Sequence, residues 1–348
     1  MAFGARMLKT GLAVTLTLYF NSFFLHFPSP VISAVAAMFA MQPTIYRSWR
    51  HFLEQLQANT LGAVLALLAG MYFSKDPFAI GLICIVVIMI CLKLKMQDSI
   101  GLTLVTVIAV MEASGEWQFA LSRFVQILVG IGTASMVNIF FLPPKPREQF
   151  VLQIHSVFTK LSLLLRTAIS NEIKENIFRD EKRGLEDSLK SLSDKFKLVE
   201  EEYKKLRGKQ FSKIRDLVVY HQMLVALRKG VDVLDAVEEH YFQTDREKRH
   251  DAEFDRQMER LSKFHEHVLL KFDEKLKETD PPEIELMEAE NVRFIREMMS
   301  ISSERPDDEL RVSIVASALF DYSYHIGRLD KLVEQYHRGT EEKKQGTA

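Results

Sequence analysis

Charge is nearly absent from the first part of this chain. Of 45 Lys+Arg and 46 Asp+Glu in 348 residues, only eight basic and five acidic residues precede Lys145. No Lys, Arg, Asp or Glu occurs between Thr10 and Tyr46. Cysteine is scarce as well: Cys84 and Cys91 stand two helical turns apart, about 10 Å along an axis, too far for a bridge. That excludes an intrachain disulfide framework and a cysteine-based zinc site. Proline is missing from Arg147 to Asp280, which removes the commonest helix breaker from that stretch. No glycine-rich phosphate loop and no His-Glu-x-x-His helix is present, so the usual signatures of nucleotide and zinc chemistry are lacking. Net charges of about +3 before Lys145 and about −4 from Lys145 onward give neither half the strong positive bias that a phosphate backbone requires. Neither a nucleic-acid partner, a cofactor nor an enzymatic reaction is expected.

What is there divides at Lys145. Residues 1–144 are apolar and residues 145–348 are rich in both signs of charge, a split that suits lipid for the first and water for the second. A single helix over the uncharged run from Thr10 to Tyr46 would measure about 55 Å against a hydrocarbon core of about 30 Å. It must fold back, and Phe27-Pro28-Ser29-Pro30 is the place. This places spans one and two at Leu8 to His26 and Val31 to Ile45. Gln55 to Ser74, Phe78 to Leu92, Ser99 to Met111 and Phe124 to Leu142 follow, the last ended by Pro143-Pro144-Lys145-Pro146. Arg6 and Lys9 before an apolar run, with Ala34-Val35-Ala36 beyond it, imitate a signal peptide. The apolar run is too long for one, and cleavage would fall inside a second apolar segment.

With six spans, one side carries Arg6, Lys9, Arg47, Arg50, Lys93, Lys95, Lys145 and Arg147. The other carries Lys75, Asp76, Glu112 and Glu116. The positive-inside rule then puts both termini in the cytoplasm. Trp49 and Trp117 fit interfacial belts.

Gly62 and Gly70 in span three and Gly130 and Gly132 in span six are expected to be packing positions, because small residues let helices approach closely in lipid. Polar residues on the same segments are candidates for a substrate path: Gln42, Gln57, Asn59, Gln126 and Asn138. Setting Gln57 to Gly62 against Gln126 to Gly130 suggests two three-span halves, which would be inverted relative to one another. Arg123 reads either as a snorkelling arginine paired with Glu112 or as an anion site. Arg47 and Arg50, with His51 and Glu54, form the polar face of a short interfacial helix. Lys93 and Lys95 mark topology or the inner rim of a pore, and Glu112 and His26 are candidate proton carriers.

The second half keeps helical spacing throughout. Leu185, Leu189, Leu192, Phe196, Val199, Tyr203 and Leu206 form an a/d seam. Ile214, Leu217, His221, Leu224, Val231 and Leu234 continue it on an antiparallel partner, giving a coiled-coil hairpin. Pro281-Pro282 and Pro306 announce later helices, so an all-α bundle of five or six helices is expected. His265-Glu266-His267 is not a metal pair, because residues two apart on a helix point about 200° apart, and solvent exposure is expected there. His221 is expected in the core or at an interface.

Phe39-Ala40-Met41-Gln42-Pro43-Thr44-Ile45-Tyr46-Arg47-Ser48, Gln57-Ala58-Asn59-Thr60-Leu61-Gly62-Ala63, Leu92-Lys93-Leu94-Lys95, Leu104 to Glu112, Val137-Asn138 and Leu142-Pro143-Pro144 together resemble the aromatic acid exporter family. The closest likeness is to its branch with a helical C-terminal domain. That family sits in the fusaric-acid-resistance-like group and is distantly similar to plant malate channels. The resemblance implies a multi-pass plasma-membrane exporter or channel for organic anions, aromatic carboxylates among them, assembled as a homo-oligomer with a dimer favoured. Gln42, Arg47, Gln57, Asn59, Glu112 and Asn138 fall on its motifs, while Arg123 lies outside them. The rival reading is a membrane-anchored scaffold or sensor whose cytoplasmic bundle binds a partner.

Overall fold

A computed structural model describes residues 2–25, 30–73, 76–113, 117–141, 145–168, 174–205, 211–243, 248–276, 283–299 and 306–345. Among these every regular element is a helix. It divides into two compact units, Met1–Pro146 and Arg147–Ala348.

The first unit contains α1 (Ala2–Phe20), running into a π-helical turn (Asn21–Leu25), then α2 (Val31–Phe39), α3 (Ile45–Tyr72), α4 (Pro77–Lys93), a 3-10 turn (Gln97–Ser99), α5 (Ile100–Glu112) and α6 (Trp117–Phe140). Two of these, α3 and α6, are long and apolar enough to cross a membrane by length and composition. Two expectations change. The second apolar run stops being helical at Phe39, because Pro43 follows and Thr44 turns to cap the next helix, its Oγ1 accepting from Arg47 N at 3.1 Å. The segment bearing Arg47 and Arg50 is therefore no separate interfacial helix but the first turns of the 28-residue α3. At 1.5 Å per residue α3 measures about 42 Å, more than a bilayer core. His26 lies outside the described residues.

Packing in this unit is inside-out. Its buried positions are small or polar, among them Ala13, Thr17, Asn21, Ser33, Ala36, Ala58, Asn59, Ala66 and Ala134, while Phe24, Met71, Phe78 and Phe140 are at least 74% exposed. A water-facing surface rarely carries that much large apolar area, whereas lipid-facing helices join through their small residues.

The pattern of burial in this unit repeats. Buried Thr17, Asn21, Ser33, Ala36, Ala37, Ala40 and Met41 recur at one constant spacing as buried Val87, Cys91, Thr103, Thr106, Val107, Val110 and Met111. At a second constant spacing Ala58, Asn59, Gly62, Ala66 and Gly70 recur as Gln126, Ile127, Gly130, Ala134 and Asn138. The contacts follow the same rule with the third helices exchanged: α6 packs on α1 and α2, and α3 packs on α4 and α5. Gly62 lies against Thr103 and Val107, Gly130 against Ser33 and Ala36. The glycines thus correspond, but the glutamines do not, since Gln57 matches Val125 and Gln126 matches Ala58.

The second unit holds α7 (Pro146–Ala168), α8 (Glu175–Lys205), α9 (Phe211–Glu239), α10 (Lys248–Phe272), α11 (Glu283–Met299) and α12 (Pro306–Gln345). Leu185, Leu189, Leu192, Phe196 and Val199 are buried in one core with residues of α7, α9, α10 and α12, so the α8 seam faces a bundle, with α9 as its neighbour. Two histidines differ from expectation. His265 is fully buried, its Nδ1 2.8 Å from the Tyr322 hydroxyl and its ring against Phe158, while Glu266 and His267 are exposed. Opposite faces were the correct inference, and one of the two faces is the core. His221 is exposed, with its ring beside Phe196.

Candidate functional site

Three of the polar clusters inside the apolar unit hold residues named as a substrate path. The first joins α3 to α5. Asn59 is fully buried; its Nδ2 donates to Gln55 Oε1 at 2.7 Å and to Gln55 O at 3.0 Å, and its Oδ1 accepts from Thr106 Oγ1 at 2.8 Å. One turn before Gln55, His51 is 5% exposed and neither ring nitrogen has a hydrogen-bond partner.

The second cluster sits where α6 ends. Asn138, 2% exposed, donates through Nδ2 to Ser48 Oγ at 2.7 Å and to the Gln42 carbonyl at 3.0 Å. Its Oδ1 accepts from Lys9 Nζ at 3.2 Å.

The third sits near the start of α6. Arg123 donates from one terminal nitrogen to Gln126 Oε1 at 3.1 Å, and its guanidinium carbon lies 4.7 Å from the centre of the Phe119 ring. Its Nε is buried without a partner. Among the described residues no carboxylate pairs with Arg123, so the expected ion pair with Glu112 is not formed; Glu112 is exposed. Arg123 is half-buried, and beyond its bond to Gln126 the guanidinium has donors to spare for an anion.

The structure therefore brings together Gln42 with Asn138, and Arg123 with Gln126, and places Asn59 in its own cluster. Gln57, Lys93 and Lys95 are exposed. Lys95 adopts a left-handed φ of 59° that closes α4, with Met96 N donating to Cys91 O at 2.9 Å. Arg50 is exposed and bonded to Glu54 at 2.6 Å, and Arg47 is half-buried in the first turn of α3. Of the packing glycines, Gly62, Gly70 and Gly130 are buried, and a Cβ at Gly132 would meet nothing within 4 Å.

Sequence reasoning missed Gln55, Ser48 and Thr106 as members of these clusters and treated Lys9 as a topology charge only. The available signal was spacing: Gln55 and Asn59 are one turn apart and in line with Gly62, Ala66 and Gly70, whereas Gln57 is on the opposite face. Among the described residues no group of His, Cys, Asp and Glu could hold a metal ion.

The second unit carries one charged cluster of note. The Arg147 guanidinium donates to the hydroxyls of Tyr220 and Tyr336, and Tyr203 donates to Asp216 at 3.2 Å. Burial pushes the Tyr203 hydroxyl up to about 12 and raises Asp216 above the ordinary carboxylate value. This fastens the start of α7 to α8, α9 and α12 through polar side chains.

Residues 1–141 match the family described as aromatic acid exporter family member 1. Over 346 residues the chain is 30% identical to the UPF0421 protein YgaE of Bacillus subtilis (strain 168), covering 97% of this chain and 96% of that one. It is 27% identical over 161 residues to UPF0421 protein OB2406 of Oceanobacillus iheyensis, covering 45% and 46%. It is 30% identical over 169 residues to UPF0421 protein BH2644 of Halalkalibacterium halodurans, covering 47% and 46%. In these last two comparisons the match spans about half of each relative.

Proposed function

Because the chain belongs to the aromatic acid exporter family, we propose that it is a multi-pass plasma-membrane exporter or channel that releases small organic carboxylates, aromatic acids among them. The observation that carries this reading is Arg123: a guanidinium on a membrane-length helix with no carboxylate partner among the described residues, held by Gln126 and Phe119. A fixed positive charge of that kind favours a negatively charged permeant. The inside-out packing of α1–α6 supports a lipid environment for all six helices, and the lysine and arginine asymmetry of their loops supports cytoplasmic termini. Six crossings make the two three-helix halves inverted, with the permeant route at their junction, where α3 meets α6. The membrane potential, positive outside, favours anion exit by about 2.3 kcal/mol per charge per 100 mV, so a channel needs no coupling ion. The helical unit after Arg147, cytoplasmic in this arrangement, serves to assemble a homo-oligomer or to gate the inner mouth.

Efflux of benzoate, malate and chloride from proteoliposomes tests the proposal. Wild-type protein should release benzoate, and Arg123→Gln should lose at least about ten-fold in rate while Arg123→Lys retains part of it. Equal benzoate efflux from wild-type protein and a well-assembled Arg123→Gln variant would remove the ground for this reading.

A further inference from the structure

We propose that Lys9 and Asn138 form an inner carboxylate-binding station that matches the Arg123–Gln126 pair at the other end of α6. The inference rests on the reading of the chain as an anion exporter and names where the anion first binds from the cytoplasm. The two pairs share one chemistry, the outer within α6 and the inner joining α1 to α6. In each, a cation with no carboxylate partner among the described residues donates to the side-chain oxygen of an α6 amide: Arg123 to Gln126 Oε1 at 3.1 Å, Lys9 Nζ to Asn138 Oδ1 at 3.2 Å.

The inner pair is built rather than incidental. Asn138 is 2% exposed, and its Nδ2 is committed to Ser48 Oγ and the Gln42 carbonyl, which fixes its oxygen toward Lys9. Ser48 is in turn committed, donating to the Thr44 carbonyl at 3.2 Å. Lys9 is therefore the member of the cluster with donors left over, because an ammonium has three and the amide takes one. A lysine that only marks topology extends to water and headgroups; this one points into a buried amide. Twelve residues separate Gln126 from Asn138, about 18 Å of helix, so a carboxylate that leaves the inner cation travels along α6 before it meets the outer one. The ligand class follows from the chemistry: a small monocarboxylate that accepts two or more charge-assisted hydrogen bonds and brings no cation of its own.

The test is sided. Benzoate flux through reconstituted protein is measured as a function of benzoate concentration at the cytoplasmic face and, separately, at the outer face. Lys9→Gln keeps a donor for Asn138 and removes the charge; it should raise the half-saturating benzoate concentration at the cytoplasmic face by about ten-fold or more and leave the outer-face value within about two-fold, while Lys9→Arg restores the inner value to within about three-fold. A merely structural Lys9 would change the amount of assembled protein or the maximal rate, not one-sided saturation. Asn138→Asp provides a second variant should Lys9→Gln fail to assemble: a fixed counter-ion beside Lys9 should produce the same one-sided loss. An unchanged inner half-saturation in either variant overturns the inner station and leaves the exporter reading intact. Absence of benzoate flux in wild-type protein overturns the exporter reading, and this inference with it.

Discussion

The Thr106 hydroxyl donates to Asn59 Oδ1 at 2.8 Å, a side-chain bond between α5 and α3 at a point where both residues are buried. Asn59 also carries two bonds from its own amide nitrogen to Gln55, whereas Thr106 has the Leu102 carbonyl, at 3.2 Å, as an alternative acceptor. The two partners are therefore unequal. Asn59→Ala should lower stability by about 1 kcal/mol and Thr106→Val by less. The double variant should be no worse than Asn59→Ala alone, and strictly additive losses in denaturation of the reconstituted protein would contradict the bond.

Gly130 and Gly132 share α6 but not a role. A Cβ at Gly130 would overlap the Ser33 carbonyl and lie 2.9 Å from Ala36 Cβ, and backbone cannot move aside as a flexible side chain can. Gly130→Ala should therefore cost about 1–3 kcal/mol through forced separation of α6 from α2. Gly132→Ala, with open space around it, should be neutral or slightly stabilising. Thermal unfolding in detergent distinguishes the two, and equal losses would show that α6 and α2 are not in contact at Gly130.

His265 makes the bundle sensitive to acid. Burial holds its imidazole down to about 3, against 6.5 when unfolded. The folded state therefore binds this proton less readily than the unfolded state. The associated stability is complete above pH 6.5 and declines as pH falls toward about 3, with a slope of at most about 1.4 kcal/mol per pH unit. Urea midpoints read from the tyrosine signals of the bundle at pH 7.5 and 5.0 should fall further for wild-type protein than for His265→Asn. A parallel fall in both would assign the acid sensitivity elsewhere.

Helix existence was largely legible in the sequence, and side-chain direction in the membrane unit was not. Pro306 marks a helix start that the structure keeps, because proline acts on the local backbone. In α3 the large apolar residues Val64, Leu68 and Met71 are on the exposed face, so hydrophobicity does not mark the buried side. Small residues replace it as the guide, and reading from Gly62 and Ala66 selects Gln55 and Asn59 over Gln57. Lys9 could not be assigned this way: its partner Asn138 is 129 residues away, and no local pattern encodes that meeting. His265 was misplaced for another reason. Helical geometry shows that His265 and His267 diverge, but only the apolar neighbours Leu261, Phe264 and Val268, which lie on the same face and are buried, tell which of them turns inward.

The polar clusters do not follow the repeat in burial across α1–α6. Arg123 occupies the position that corresponds to Gln55, and Asn138 the one that corresponds to Gly70. At the first of these positions a charge in one half stands where the other has a neutral amide, and at the second an amide stands where the other has a glycine. The bond between Asn21 and Ser33, at 3.3 Å, has Cys91 and Thr103 in its place in the second half.

The central claim is that this chain conducts small carboxylates, and current across a planar bilayer holding the purified protein tests it most directly. With benzoate on one side and an impermeant anion on the other, the account expects a current whose reversal potential moves toward the benzoate equilibrium value and which declines in Arg123→Gln. No benzoate-dependent current or flux in oligomeric, correctly inserted protein would contradict it and would favour a membrane-anchored scaffold that acts through its helical bundle.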